Sequence, residues 1–159
     1  MRKPLFATLS LIVVGLAASS PACADFANGS FENGTYVFDA QGADSLAPGS
    51  TAITGWTTFG GELAVIQNVN SFGISTPFGS HFLDLTGYHD ASPYGGVQQS
   101  IATVPNVSYN LSLYLGVNDT VGANGPISVQ VTAGANSTTL SANPTGAGMI
   151  WTLETWTFT

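Results

Sequence analysis

Gly95–Gly116, G-G-V-Q-Q-S-I-A-T-V-P-N-V-S-Y-N-L-S-L-Y-L-G, holds the clearest two-residue period in the chain. Tyr109, Leu111, Leu113 and Leu115 fall on one side of an extended backbone, and Asn110, Ser112 and Tyr114 fall on the other. That alternation predicts a half-buried strand. The preceding run sets Val97, Gln99, Ile101 and Thr103 on one side, and Val104-Pro105-Asn106 reads as a turn whose proline cannot donate to a ladder. The two runs are therefore expected to form a hairpin at the centre of an antiparallel sheet. Gln99 shares the parity of Val97 and Ile101, so its amide is expected to point inward and satisfy backbone groups.

Outward from this stretch the same grammar continues. Strands are expected at 36–38, 62–67, 81–85, 97–102, 108–117, 126–133, 137–140 and 149–159, a spacing that fits a β-sandwich. From Asp25 onward apolar residues nowhere keep helical spacing for three turns. Asn28-Gly29, Asn33-Gly34 and Asn124-Gly125 are turn dipeptides suited to positive φ. Trp56 is expected in the core. Trp151 and Trp156 have opposite parity on one strand, so one should face in and the other out. Asp84 is placed on an outer face or in a ligand groove, and His81 reads as an exposed strand residue.

At the N-terminus, Arg2 and Lys3 precede the apolar run 5–18, which is short of the roughly 20 residues that span a bilayer. Ala22-Cys23-Ala24 follows as an A-x-A cleavage site, so residues 1–24 are expected to be a secretory signal peptide and 25–159 the mature domain. A lipoprotein reading, with Cys23 acylated, lacks the leucine usual three places earlier. Removing the leader removes Arg2, Lys3 and Cys23, which are the two cationic residues and the one cysteine of the whole chain, and leaves nine Asp and Glu. Without Lys or Arg the mature chain is a poor partner for nucleic acid or anionic membrane. Any buried carboxylate must find hydrogen bonds or a bound cation, for which calcium is the extracellular candidate.

The ordered pieces Asn28-Gly29-Ser30-Phe31-Glu32-Asn33-Gly34, Ile53-Thr54-Gly55-Trp56-Thr57, Leu83-Asp84-Leu85-Thr86-Gly87, Gly95-Gly96-Val97-Gln98-Gln99-Ser100-Ile101, Tyr109-Asn110-Leu111-Ser112 and 151–158 together resemble a known family. They look like the secreted galactose-binding-like jelly rolls grouped as domain of unknown function 642, found in plant cell walls and in bacterial exported proteins. The opening is also similar to that of carbohydrate-binding modules attached to glycanases. The resemblance runs from Asp25 to the C-terminus. It implies an all-β antiparallel jelly-roll β-sandwich that binds extracellular or cell-wall polysaccharide and is not an enzyme. In related modules a glutamate of the N-G-x-F-E element helps to hold a structural calcium, which maps onto Glu32. A solvated turn residue is the alternative for Glu32. Members of the family usually continue past the terminal strand, and many bacterial relatives carry a Pro-Glu-Pro sorting tail. The chain is accordingly expected to be a fragment truncated in its sandwich, with an outermost terminal strand as the alternative.

Sugar recognition needs flat aromatic faces and short polar side chains on one loop. The segment 87–96 best supplies them, with Tyr88, His89, Asp90 and Tyr94 as candidate carbohydrate-binding residues between glycines. The competing reading has its tyrosines cover the end of the core. Hydrolytic chemistry finds no G-x-S-x-G, H-E-x-x-H or cysteine nucleophile. A structural matrix or adhesion protein binding other proteins through its sheet edges is the second functional class.

Overall fold

The computed structural model describes residues 26–89, 92–118, 126–146 and 148–159. The leader, Asp90 and Asn124-Gly125 lie outside the described residues, as does the side chain of His89. The fold is all-β and antiparallel. Its strands are β1 (Ala43–Leu46), β2 (Thr57–Gly60), β3 (Leu63–Gln67), β4 (His81–Asp84), β5 (Gly95–Gln98), β6 (Tyr109–Asn118), β7 (Ile127–Ala133), β8 (Asn136–Ala142) and β9 (Met149–Phe158). They assemble as β1-β3-β4, β2-β5, β6-β9 and β7-β8, an arrangement consistent with a β-sandwich.

β3 is the central element because it is buried on both faces. Leu63, Ala64, Val65 and Ile66 are all buried, so this strand reads as a continuous apolar run instead of an alternating one. Leu63 and Val65 join Leu46 and Ile53 in one cluster, against which Phe31, Trp56, Leu83 and Val97 pack. Ala64 and Ile66 join Ala43 and Phe82 in a second cluster, capped by Phe72, Ile74 and Trp151. The β1-β3-β4 sheet thus lies between the β2-β5 ribbon on one side and the β6-β9 ribbon on the other. Trp56 fills the first cluster as expected, its ring stacked on Phe26 and its indole N–H donated to the Asn28 carbonyl at 3.1 Å.

The alternation of Tyr109–Leu115 holds, with Asn110, Ser112 and Tyr114 exposed and the other parity buried or half-buried. The expected hairpin does not form. β5 pairs with β2, in the register Thr57↔Gln98 to Gly60↔Gly95, and β6 pairs with β9 over ten rungs from Tyr109↔Phe158 to Asn118↔Met149. The physical reason is partner length, since each cross-strand pair contributes about 0.2–1 kcal/mol and a ten-residue partner offers more of them than the short run before Pro105. The turn itself exists: Asn106 takes φ 61°, and the Val104 amide donates to the Tyr109 hydroxyl at 2.7 Å. The segment 36–38 is likewise no strand. It is held by the Tyr36 hydroxyl donating to the Phe31 carbonyl at 2.7 Å and by ring contact with Phe38.

Trp151 and Trp156 do occupy opposite faces of β9, but both are half-buried. Trp151 lies edge-on to Phe82, and Trp156 packs beside Phe158. The expectation of one exposed indole fails because each indole is covered on its own face: Trp151 packs against the second cluster and its N–H donates to the Ser75 carbonyl in the loop between β3 and β4 at 2.9 Å, while Trp156 lies against the Phe158 ring. The same indole lies over Gly116, whose absent Cβ would stand 2.8 Å from it.

Candidate functional site

Glu32 is an internal tether. Its Oε1 accepts the backbone N–H groups of Ser80 at 2.8 Å and His81 at 3.0 Å, and its Oε2 stands 3.1 Å from His81 Nδ1. A carboxylate in that contact needs the proton on Nδ1. His81 is consequently not the exposed residue expected: it is half-buried, stacked on Phe38 at 5.3 Å and tilted against Tyr36. A carboxylate offers about four lone-pair directions, and three of these face N–H donors or the imidazole. Among the described residues no group of three or more His, Asp and Glu side chains surrounds an ion position.

Asp84 is spent locally, accepting from the backbone N–H and the hydroxyl of Thr86 at 2.9 and 2.7 Å. Gln99 behaves as its parity implied. Its amide nitrogen donates to the carbonyls of Gly55 at 2.6 Å and Ala27 at 3.0 Å, while its oxygen accepts the Ala27 N–H at 2.8 Å. One side chain thereby ties the opening segment to the end of β5.

The loop after β4 begins with a 3-10 turn, Gly87–His89. Tyr88 is anchored at both ends: its N–H donates to Glu62 Oε1 at 3.2 Å and its hydroxyl to Asp39 Oδ2 at 2.6 Å, with its ring against Phe72. The short bond to a carboxylate favours the neutral phenol and pushes the Tyr88 pKa up to about 12. The same bond, with backbone N–H donors from Ala43, Gln41 and Gly42, holds Asp39 below the ordinary carboxylate value. For Asp39 the bond's contribution to folding is present above its unfolded pKa and fades as pH falls through the lower folded one. For Tyr88 it is present below the ordinary phenol value of 10.0 and fades as pH rises toward about 12. A spectrophotometric titration of the five tyrosines should therefore show two late phenols, Tyr88 and Tyr36, the latter raised by burial and by the nearby Glu32 and Asp44 carboxylates, and Tyr88→Phe should remove the Tyr88 step while leaving that of Tyr36. Loss of no late step in the variant would misplace the bond.

Tyr94 is free where Tyr88 is committed. Its carbonyl accepts the Gly61 N–H at 2.9 Å, continuing the β2-β5 ladder by one rung, while its ring is 57% exposed. The close backbone approach explains the glycines, because a Cβ at Gly61 would stand 1.8 Å from the Pro93 carbonyl. Phe59 is paired with Gly96, lies across it and is 48% exposed. By the two-residue period Phe59, Tyr94, Thr57 and Gln98 share the outer face of the ribbon, opposite to Thr58 and Val97. A shallow groove of about 250 Å³ lies at the end of that face, lined by Gly55, Thr57, Gln98, Gln99 and Ser100. The Gln98 amide makes no hydrogen bond to any described residue.

Of the residues expected to bind sugar, then, Tyr94 lies on this face and Tyr88 is turned toward Asp39; Asp90 and the His89 side chain are outside the described residues. Thr57, Phe59 and Gln98 were not singled out in the sequence. The one available signal was the period-2 match between Thr57-Thr58-Phe59 and Gly96-Val97-Gln98. No helix among the described residues is long and apolar enough to cross a membrane.

Among known proteins, the chain is 31% identical over 168 residues to halomucin of Haloquadratum walsbyi (strain DSM 16790 / HBSQ001). That alignment covers 99% of this chain and 2% of that relative, so the chain spans a small part of the protein it matches. No solved structure matches it. With a family profile matching residues 24–159, the chain belongs to the family described as "Protein of unknown function (DUF642)".

Proposed function

We propose that the domain is a secreted, non-catalytic carbohydrate-binding module with a jelly-roll, galactose-binding-like fold that engages extracellular or cell-wall polysaccharide. The observation that carries this reading is the outer face of β2-β5, which bears two exposed rings, Phe59 and Tyr94, and has the groove lined by Thr57, Gln98 and Ser100 at its end. Rings offer flat apolar faces to sugar C–H surfaces, and amide and hydroxyl groups meet sugar hydroxyls without requiring charge. The leader sequence supports export. Tyr94→Ala should weaken binding to the recognised polysaccharide about tenfold, equivalent to roughly 1.4 kcal/mol. Its melting temperature should stay near that of the parent, because the ring is exposed and only its backbone carbonyl holds the ladder. Pull-down on insoluble cell-wall polysaccharides, with melting curves alongside, reads both quantities. Equal retention of parent and variant would remove Tyr94 from the site.

A structural matrix or adhesion role is the second reading, favoured by the ladder of β6 and β9. Each pairs along one side only among the described residues, leaving edges that could accept a further strand. Concentration-dependent association by light scattering would support it.

A further inference from the structure

We propose that the exposed part of the β6-β9 face that carries Trp151, running from Tyr114 and Leu153 to Asn110 and Thr157, is a second glycan-binding surface, selective for neutral polysaccharide; this rests on the carbohydrate-binding reading and places a site separate from that on β2-β5. Two exposed rings meet there, Phe78 at 45% and Tyr114 at 44% exposure, stacked at 3.7 Å between centroids and inclined by 21°. Leu153, 53% exposed, is the cross-strand partner of Tyr114 and extends the apolar platform. The next rungs of the same parity are Ser112↔Thr155 and Asn110↔Thr157, all exposed. The Thr157 hydroxyl donates to Asn110 Oδ1 at 2.6 Å, which leaves the Asn110 amide hydrogens for a ligand. The hydroxyls of Tyr114, Ser112 and Thr155 make no hydrogen bond to any described residue. An aromatic platform followed by a row of unpaired hydroxyl and amide groups, about 14 Å long at the usual rise per strand residue, matches the alternating apolar and hydroxylated surface of an extended sugar chain.

The platform is held in place before any ligand arrives. Asn68 accepts the Thr76 N–H at 2.8 Å and donates to the carbonyls of Thr76 and Gly79 at 3.0 and 2.9 Å, while the Phe78 N–H donates to the Thr76 hydroxyl at 3.2 Å. Trp151 stands edge-on to both Phe78 and Phe82, so the exposed ring is braced from the core. Fixing the rings beforehand reduces the ordering cost of binding.

Charge selects the occupant. From Asn110 to Tyr114 and from Leu153 to Thr157 this face carries no ionisable side chain apart from the Tyr114 phenol. The chain's only Lys and Arg are Lys3 and Arg2, while it has nine Asp and Glu. A uronate polymer would find no cation to pair with, whereas a neutral chain needs none.

The test titrates the intact protein with hydroxyethylcellulose, arabinoxylan and galactan as neutral polymers and polygalacturonate as the anionic one. Calorimetry is read together with tryptophan fluorescence, since Trp151 braces the platform. Tyr114→Ala and Ser112→Arg should each weaken binding of the recognised neutral polymer about tenfold, and each should add to the loss caused by Tyr94→Ala. Ser112 is exposed and outside both core clusters, so Ser112→Arg keeps the test valid if Tyr114→Ala impairs folding. If the parent binds a neutral polymer and Ser112→Arg binds it equally, the second surface is overturned while the module reading stands. Preference for polygalacturonate overturns the charge argument and with it the proposal. A folded parent that binds none of the four removes both.

Discussion

Leu63→Ala is expected to cost about 2–5 kcal/mol, because the side chain is fully buried at the centre of the first cluster and truncation loses both transfer energy and packing. Strand β3 packs on both faces, so neighbouring elements cannot close on the void from one side without opening the other. Ala64 and Ile66 on the opposite face would have to follow any inward shift of the strand. Leu63→Met, which conserves volume, should cost less than about 1.5 kcal/mol. Urea unfolding of the three proteins reads the difference, and an unchanged slope would show that stability alone has moved. A loss under about 1 kcal/mol for the alanine variant would mean that β3 is not the two-sided centre of the fold.

Glu32→Ala should be the most damaging polar substitution, at about 2–4 kcal/mol. It removes the acceptor for two backbone N–H groups at the start of β4 and the partner of His81, and hydrogen bonds to a charged group contribute about 1.5–3 kcal/mol each. The Glu32 carboxylate also packs against Gly79, which has φ 148° and no room for a Cβ. Glu32→Gln keeps one acceptor oxygen and should retain part of the stability. If instead Glu32 acted mainly through calcium, the loss would appear only in the presence of calcium and chelator would reproduce it in the parent. A loss of the same size with and without chelator identifies the tether.

The strands that could be read in the sequence were those with length or pattern. β3 stands out by its apolar run, and β6 and β9 by alternation sustained over ten residues. β1 and β2 were missed because Ala43-Asp44-Ser45-Leu46 and Thr57-Thr58-Phe59-Gly60 are short, polar and bounded by turn residues, so their ladder depends on partners elsewhere in the chain. Pairing was the harder problem. Adjacency in sequence suggested β5 with β6, yet β5 takes β2 and β6 takes β9, a choice that local pattern does not encode.

The placement of the candidate residues was only partly legible. The two tyrosines of the loop read alike in the sequence, yet Tyr94 is exposed and Tyr88 is bonded to Asp39, 49 residues away. Phe59 and Gln98 become a common face only once β2 and β5 are in register. Gln99 could be read correctly because its parity among apolar neighbours left its amide a backbone role. His81 could not, since Glu32 and Phe38 reach it from a segment that forms no strand.

Binding of a neutral glycan by the folded domain is tested most directly by affinity electrophoresis of the intact protein. The gels would contain cellulose derivatives, xylans, galactans or pectins, each run with calcium and with chelator. Retardation by at least one neutral polysaccharide, persisting in chelator and absent with de-esterified pectin, is the expected result. Free migration of a demonstrably folded sample in every gel would contradict it.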